Sequence, residues 1–277
     1  GMGVFRHVDV IIGCLDNREA RLSINRMSWA VGKPWVDGAI EELMGIVRVF
    51  WPGEGACYEC TLTDFDYQLI GLRYSCPLLA RQNLLKGKVP TTPTSASIVA
   101  AFQTQEALKL LHGMEVQPGK AMIINGLTND IYTTEYPVKQ DCLSHNRLEP
   151  IEELAEVKTA VTTVGELLAI ARERLGPGTV LEFNGELVVS MRCPDCGQEE
   201  PIFKSMARLY ENAADCPNCG GHRDMNLTHR ITGDEDFLDR TLAEIDLPPL
   251  AIVRARNGSE RIYLEMTGDA ASFFTFS

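Results

Sequence analysis

The sequence predicts an α/β domain over residues 1–150, followed by a small α+β domain over residues 151–277 with an inserted zinc ribbon at about 192–222. Three observations lead there. The first 51 residues alternate apolar strand, periodic helix, strand and strand. Residues 158–192 and 250–266 read as a helix followed by two hairpins. Six of the nine cysteines fall in Cys-x-x-Cys pairs.

In order along the chain, residues 8–13 (VDVIIG) form a short apolar run of the kind buried in a parallel sheet. Residues 16–30 have helical periodicity, with Leu22, Ile24, Met27 and Trp29 along the segment, and Gly32-Lys33-Pro34 stops it. Residues 35–38 and 45–51 read as strands, the second by alternation. Residues 64–85 read as a helix containing Cys76, residues 87–93 as a loop, and residues 95–112 as a helix stopped by Gly113. Residues 121–136 give two short strands with turn residues at Asn125-Gly126 and Asn129-Asp130. Past Pro150, Thr163 opens a helix with Glu166 as its capping-box partner, and Gly176-Pro177-Gly178 ends it. Residues 180–191 read as a hairpin turning at Asn184-Gly185. Residues 250–256 and 261–266 read as another around Asn257-Gly258. No internal repeat or low-complexity segment is present.

The composition is that of a globular chain with a sizeable core, at 45% hydrophobic and 23% charged residues. A formal net charge of -12 argues against nonspecific nucleic-acid binding, which needs clustered Lys and Arg. No run of 18 apolar residues suggests a membrane span, and the N-terminus has no signal-peptide core. Gly1 before Met2 reads as a residue left by expression. A cytoplasmic location follows as the expectation, with thiols kept reduced rather than in a disulfide framework.

In that setting the cysteines read as metal ligands. Cys193-Pro-Asp-Cys196 and Cys216-Pro-Asn-Cys219 are separated by 19 residues, the spacing of a zinc ribbon. Each pair turns two thiolates toward one point, and two pairs complete a tetrahedron with Zn–S near ~2.3 Å. Gly197 and Gly220 follow the pairs, where a positive φ lets backbone N–H groups face sulfur. Four soft ligands without an open position suit a closed structural site, against the alternative of buried or redox-active thiols. A second set is Cys57-Tyr-Glu-Cys60 with Cys142-Leu-Ser-His145, a Cys3His combination that would tie the end of the first domain to its middle. The competing reading leaves His145 on the surface and brings only the three cysteines together.

The stretch from Asp9 to Asn25 holds an apolar strand followed by Asp16-Asn17, Arg21 and Asn25. That register resembles the Asp-Asn-x-x-x-Arg-x-x-x-Asn signature of the ThiF/MoeB/HesA superfamily. Gly32-Lys33-Pro34 with Gly38, the segment Ala56-Cys57-Tyr58-Glu59-Cys60, Pro90-Thr91-Thr92-Pro93 and the helix holding Gln103, Glu106, Ala107 and Lys109 continue the resemblance in order. It covers about residues 8–146 and implies a partial Rossmann-like, activating-enzyme sheet. The resemblance implies the family's activity, which some members extend by transferring the acyl group to a cysteine. The C-terminal carboxylate of a small β-grasp carrier attacks the α-phosphate of ATP, giving an acyl-adenylate and pyrophosphate. The resemblance implies ATP and Mg²⁺ as cofactors, a ubiquitin-like or sulfur-carrier protein as partner, and a homodimer. It places Asp16 on Mg²⁺ and Asn17 and Arg21 near the nucleotide or the adjoining loop, with Asp16, Arg21 and Cys76 as the catalytic set. Arg21 also reads as a structural ion pair, Asn25 as a packing residue and Cys14 as core. Cys76, in Tyr74-Ser75-Cys76-Pro77, is the candidate acyl acceptor, against a buried helical cysteine.

The family's Gly-x-Gly-x-x-Gly turn, whose N–H groups cradle phosphate, has no counterpart in the sequence. The expectation is therefore an activating enzyme that is incomplete or inactive as an isolated chain. The alternative is a noncatalytic zinc scaffold that docks a carrier or partner protein. In the second domain, residues 162–168 followed by 180–183 resemble the ubiquitin-fold domain of activating enzymes.

Overall fold

The computed structural model describes residues 1–75, 92–210 and 212–274, with the backbone alone for 71–75. The chain divides into two compact units, one of Val4–Arg147 and one of Gly1–Gly3 with Leu148–Ser277. Among the described residues, no helix is long and apolar enough to cross a membrane.

The first unit is a five-stranded sheet in the order β1-β2-β3-β4-β5. Strand β1 (Ile11–Gly13) is shorter than the apolar run from residue 8 and leads into helix α1 (Arg18–Val31). The helix begins two residues later than periodicity alone suggests, because Asn17 caps it. The Asn17 backbone is extended and its Oδ1 accepts from the Ala20 N–H at 2.7 Å. Gly32, at φ 73°, closes the helix in the left-handed region where a Cβ is costly. Strand β2 (Trp35–Glu41) then runs parallel to β1, with Ile11 opposite Trp35. Strands β3 (Met44–Phe50), β4 (Lys120–Asn125) and β5 (Asp130–Glu135) follow antiparallel, so the sheet has one βαβ crossover and then a meander. The β4–β5 hairpin turns where expected, with Asn125 opposite Asp130.

Helix α2 (Tyr58–Thr61) is a single turn, and α3 (Asp64–Ser75) follows. The remainder of the helix read to residue 85, including Cys76, lies outside the described residues, as do Pro90 and Thr91. Helix α4 (Pro93–Leu111) starts at the Thr92 cap with Pro93 in its first turn, and Val99 and Ala107 pack on Val36, Val47, Val49 and Ile124. Gly45 permits that contact: a Cβ there would stand 2.5 Å from a Val99 methyl. Leu22 of α1 packs with Trp35, Phe50, Tyr58 and Leu62, and the Trp35 and Phe50 ring centroids lie 5.0 Å apart.

The second unit is a six-stranded sheet with helix α5 (Val164–Leu175) packed on it. Strands β6 (Ile151–Leu154), β11 (Glu260–Met266), β10 (Ile252–Asn257), β7 (Val180–Arg192) and β8 (Glu199–Ser205) run in that spatial order, and β9 (Asp224–Ile231) pairs with β7. The Thr163–Glu166 capping box forms in both directions, and the β10–β11 hairpin turns at Asn257-Gly258, with Gly258 at φ 61°.

The expected hairpin at Asn184-Gly185 is not there. Strand β7 runs through it for 13 residues. A two-residue turn of the favoured type needs positive φ at both central residues, and neither has it. The Asn184 side-chain amide instead donates to the Ile252 carbonyl at 3.0 Å, and the register against β9 shifts between Glu182 and Leu187. Asn-Gly here marks an irregularity in a long strand. The true reversal comes later, at the Cys193–Cys196 turn that joins β7 to β8.

Candidate functional site

Two constellations stand out in the first unit. One lies past the C-terminal end of β1, where open α/β sheets place ligands. Asp16 is exposed there, and its Oδ1 accepts from Asn17 Nδ2 at 2.9 Å. Asn17 therefore caps α1 with one end of its amide and steadies Asp16 with the other. Cys14 is exposed and not core.

Arg21 points inward. Its Nε donates to Asp37 Oδ1 at 2.9 Å, and Nη2 donates to the Gly38 carbonyl at 3.1 Å and to the carbonyl of Leu15. Asp37 is fully buried on β2 and is held from its other side by Arg48, through Nε at 3.1 Å and through Nη2. The guanidinium of Arg48 lies 5.1 Å from the Tyr58 ring centroid. Gln103 of α4 donates to the Gly13 carbonyl at 2.8 Å, fastening the strand end. Sequence reasoning placed Arg21 near the nucleotide or the adjoining loop, with a structural ion pair as the competing reading; the ion pair is what forms, and Asp37 and Arg48 had been given no role.

The other constellation is the four-residue set at 57, 60, 142 and 145. The ligand atoms of Cys57, Cys60, Cys142 and His145 all lie within 4.8 Å of one another. Cys57 Sγ is 3.7 Å from Cys60 Sγ and 3.5 Å from Cys142 Sγ, and Cys60 Sγ is 3.4 Å from His145 Nε2. A tetrahedron with Zn–S of ~2.3 Å has edges of roughly 3.8 Å, so the donor set and its spacing fit a tetrahedral ion. Burial pushes the Cys57 and Cys142 thiols up, and it pushes His145 down, toward the neutral imidazole that ligates metal. The Lys139 N–H points at Cys60 Sγ at 3.5 Å.

Around this set lies a polar network that the sequence did not reveal. Glu59 is 1% exposed; it accepts from Arg26 Nη2 at 2.5 Å, from Tyr67 OH at 2.9 Å and from the Ser144 hydroxyl. Burial alone would raise the Glu59 carboxyl. The hydrogen bonds from Arg26, Ser144 and Tyr67 outweigh it and hold the group below the ordinary carboxylate range. The available signal was position: Glu59 stands between two cysteines, and Ser144 stands beside the histidine.

In the second unit, Cys193, Cys196, Cys216 and Cys219 also meet within 4.8 Å, with Cys193–Cys219 at 3.5 Å and Cys196–Cys216 at 3.7 Å between sulfurs. Gly197 and Gly220 both sit at φ 74°, and their N–H groups bond to the Cys193 and Cys216 carbonyls at 2.9 Å. Both Cys-rich clusters can hold a metal ion. Cys76 lies outside the described residues.

A ThiF family signature matches residues 3–144, just over half of the chain. The chain belongs to the ThiF family. Among curated relatives of this ThiF-family chain, the ubiquitin-like modifier-activating enzyme 5 of Dictyostelium discoideum is 34% identical over 106 residues, 38% of this chain and 26% of that protein. The enzyme of the same name from Drosophila willistoni is 28% identical over 245 residues, 86% of this chain and 57% of that protein. The chain thus spans about a quarter of the first relative and just over half of the second. Among solved structures, Escherichia coli MccB aligns with a TM-score of 0.41 and 14% identity, over 53% of this chain and 42% of that one.

Proposed function

We propose that this ThiF-family chain takes part in the ATP-dependent adenylation of the C-terminus of a ubiquitin-like or sulfur-carrier protein of β-grasp type. The observation that carries the reading is Asp16, an exposed carboxylate just past β1, inside the segment that matches the family. A single carboxylate completed by phosphate oxygens and water suits Mg²⁺, and the ion when bound would neutralise charge on the phosphates. Asn17 orients Asp16. Arg21, with its donors committed to Asp37 and to the Leu15 and Gly38 carbonyls, acts by fixing the loop that carries Asp16. Residues 1–277 hold no Gly-x-Gly-x-x-Gly, so on this reading the phosphate cradle is supplied from outside them. By itself the chain is an incomplete adenylating unit.

Both cysteine clusters are read as zinc sites, the second as a zinc ribbon inserted between β7 and β9. Tetrahedral spacing and paired glycine turns support this. A second reading makes the chain a noncatalytic zinc scaffold that docks a carrier. It is prompted by Tyr210, an 85% exposed aromatic in the segment between Cys196 and Cys216.

The test is ATP–pyrophosphate exchange with a β-grasp carrier present. Exchange that the Asp16→Ala change abolishes supports adenylation. Carrier capture that survives Asp16→Ala, with no exchange and no nucleotide binding by the unaltered protein, supports the scaffold instead.

A further inference from the structure

Three side chains from the second half of α1 reach the Cys3His set. Asn25 is fully buried. Its Oδ1 accepts from the Tyr58 N–H at 2.9 Å and from Trp35 Nε1 at 3.3 Å, and its Nδ2 donates to Ser144 Oγ at 2.8 Å. Tyr58 follows Cys57, and Ser144 precedes His145. One amide therefore holds both ligand-bearing segments. Arg26, the next residue, pairs with Glu59 between Cys57 and Cys60. Trp29, one turn on, stacks its ring on His145, with centroids 4.5 Å apart and planes 19° from parallel.

The ligand segments need such a frame. Cys57 caps a four-residue helix that holds Cys60, and Cys142 opens a three-residue turn. Neither is long enough to fix its own direction. Resting on the reading of this set as a metal centre, we propose that α1 is the outer shell of that centre and that Asn25 is its positioning residue, setting both ligand pairs on the ion through Tyr58 N–H and Ser144. An amide is the group for this task, because it offers an acceptor to one segment and a donor to the other. Outer partners of this kind orient ligands and tune affinity.

All three tryptophans, Trp29, Trp35 and Trp51, lie in the first unit, and Trp29 stacks on His145, so quenching of tryptophan fluorescence by Co²⁺ reports this centre. The experiment loads the full-length protein with Co²⁺ and follows fluorescence recovery after adding EDTA, while cobalt–thiolate absorption, to which both centres contribute, is followed in parallel, and a Cys216→Ser, Cys219→Ser variant identifies the part due to the four-cysteine centre. Asn25→Ala is expected to weaken Co²⁺ retention at the quenching centre by about 10–100-fold, leaving release from the four-cysteine centre unchanged. Ser144→Ala removes one hydroxyl and is expected to act in the same direction more weakly; it carries the test if Asn25→Ala does not fold. Trp29→Phe keeps a stacking ring on His145 and is expected to retain Co²⁺ better than Trp29→Ala. Unaltered release in both Asn25→Ala and Ser144→Ala overturns the proposal. Absence of Co²⁺ quenching in the unaltered protein, with the four-cysteine centre filled, instead removes the metal reading on which it stands.

Discussion

Arg21 Nε donates to Asp37 Oδ1 at 2.9 Å, joining α1 to the middle of β2 through a carboxylate with no exposed surface. Arg48 completes the arrangement from β3. Two cations thus share one buried anion, and removing the anion leaves both uncompensated. Asp37→Asn is expected to cost about 3–5 kcal/mol, read as a lower urea midpoint of tryptophan fluorescence. A change below ~1 kcal/mol would show that the pair behaves like a solvated one.

Helix α5 offers a local test. Thr163 Oγ1 accepts from the Glu166 N–H at 3.1 Å, and the Glu166 carboxylate accepts from the Thr163 N–H at 2.7 Å. Thr163→Ala is expected to cost about 0.5–2 kcal/mol in thermal or urea unfolding, and Thr163→Ser to restore most of it. Equal loss in both variants would mean that the cap hydroxyl is not what matters.

Acid should act through Glu182. Burial would raise its carboxyl, but the hydrogen bond from Arg256 and the charges of Arg254 and Arg256 outweigh this and hold it below the ordinary carboxylate range. A folded pKa below the unfolded value of about 4.3 means that the stabilisation is complete above that value. It is lost as pH falls through the folded pKa. At pH 7 Glu182→Gln is expected to be the less stable protein, with the gap closing as the pH is taken down toward 3. Urea midpoints of both proteins at neutral and acid pH check the sign, and a gap that widens on acidification contradicts it.

Much of the fold was legible because its signals are local. The Gly32 stop of α1, the Thr163–Glu166 box and the turn at Asn257-Gly258 each depend on a few adjacent residues. Cysteine spacing paired the residues that meet in each metal-type cluster. Partners distant in sequence were not legible. Nothing near Asp37 marks it as the anion shared by Arg21 and Arg48, and nothing near Asn25 points to Ser144, 119 residues away. Asn184-Gly185 misled because turn composition was read without its neighbours, which hold β7 extended on both sides. Cys14 was read as core from its place next to an apolar strand, but the chain leaves the sheet at that residue.

Metal removal should separate the two units. Prolonged chelation is expected to lower the thermal stability of each, since closed sites of this type contribute folding energy directly. Re-addition of zinc should restore both transitions. A chelated protein whose unfolding is unchanged would show that the clusters are thiol networks without a stabilising ion.

The most direct test is zinc content together with X-ray absorption at the zinc edge. The Cys57–Cys60–Cys142–His145 and four-cysteine sets together give seven sulfurs and one nitrogen for two ions. The expected result is therefore two zinc per chain, with an average shell of roughly 3.5 sulfurs near ~2.3 Å and a minor nitrogen contribution near ~2.0 Å. Protein isolated without zinc, or zinc in an oxygen-rich shell, would contradict the account.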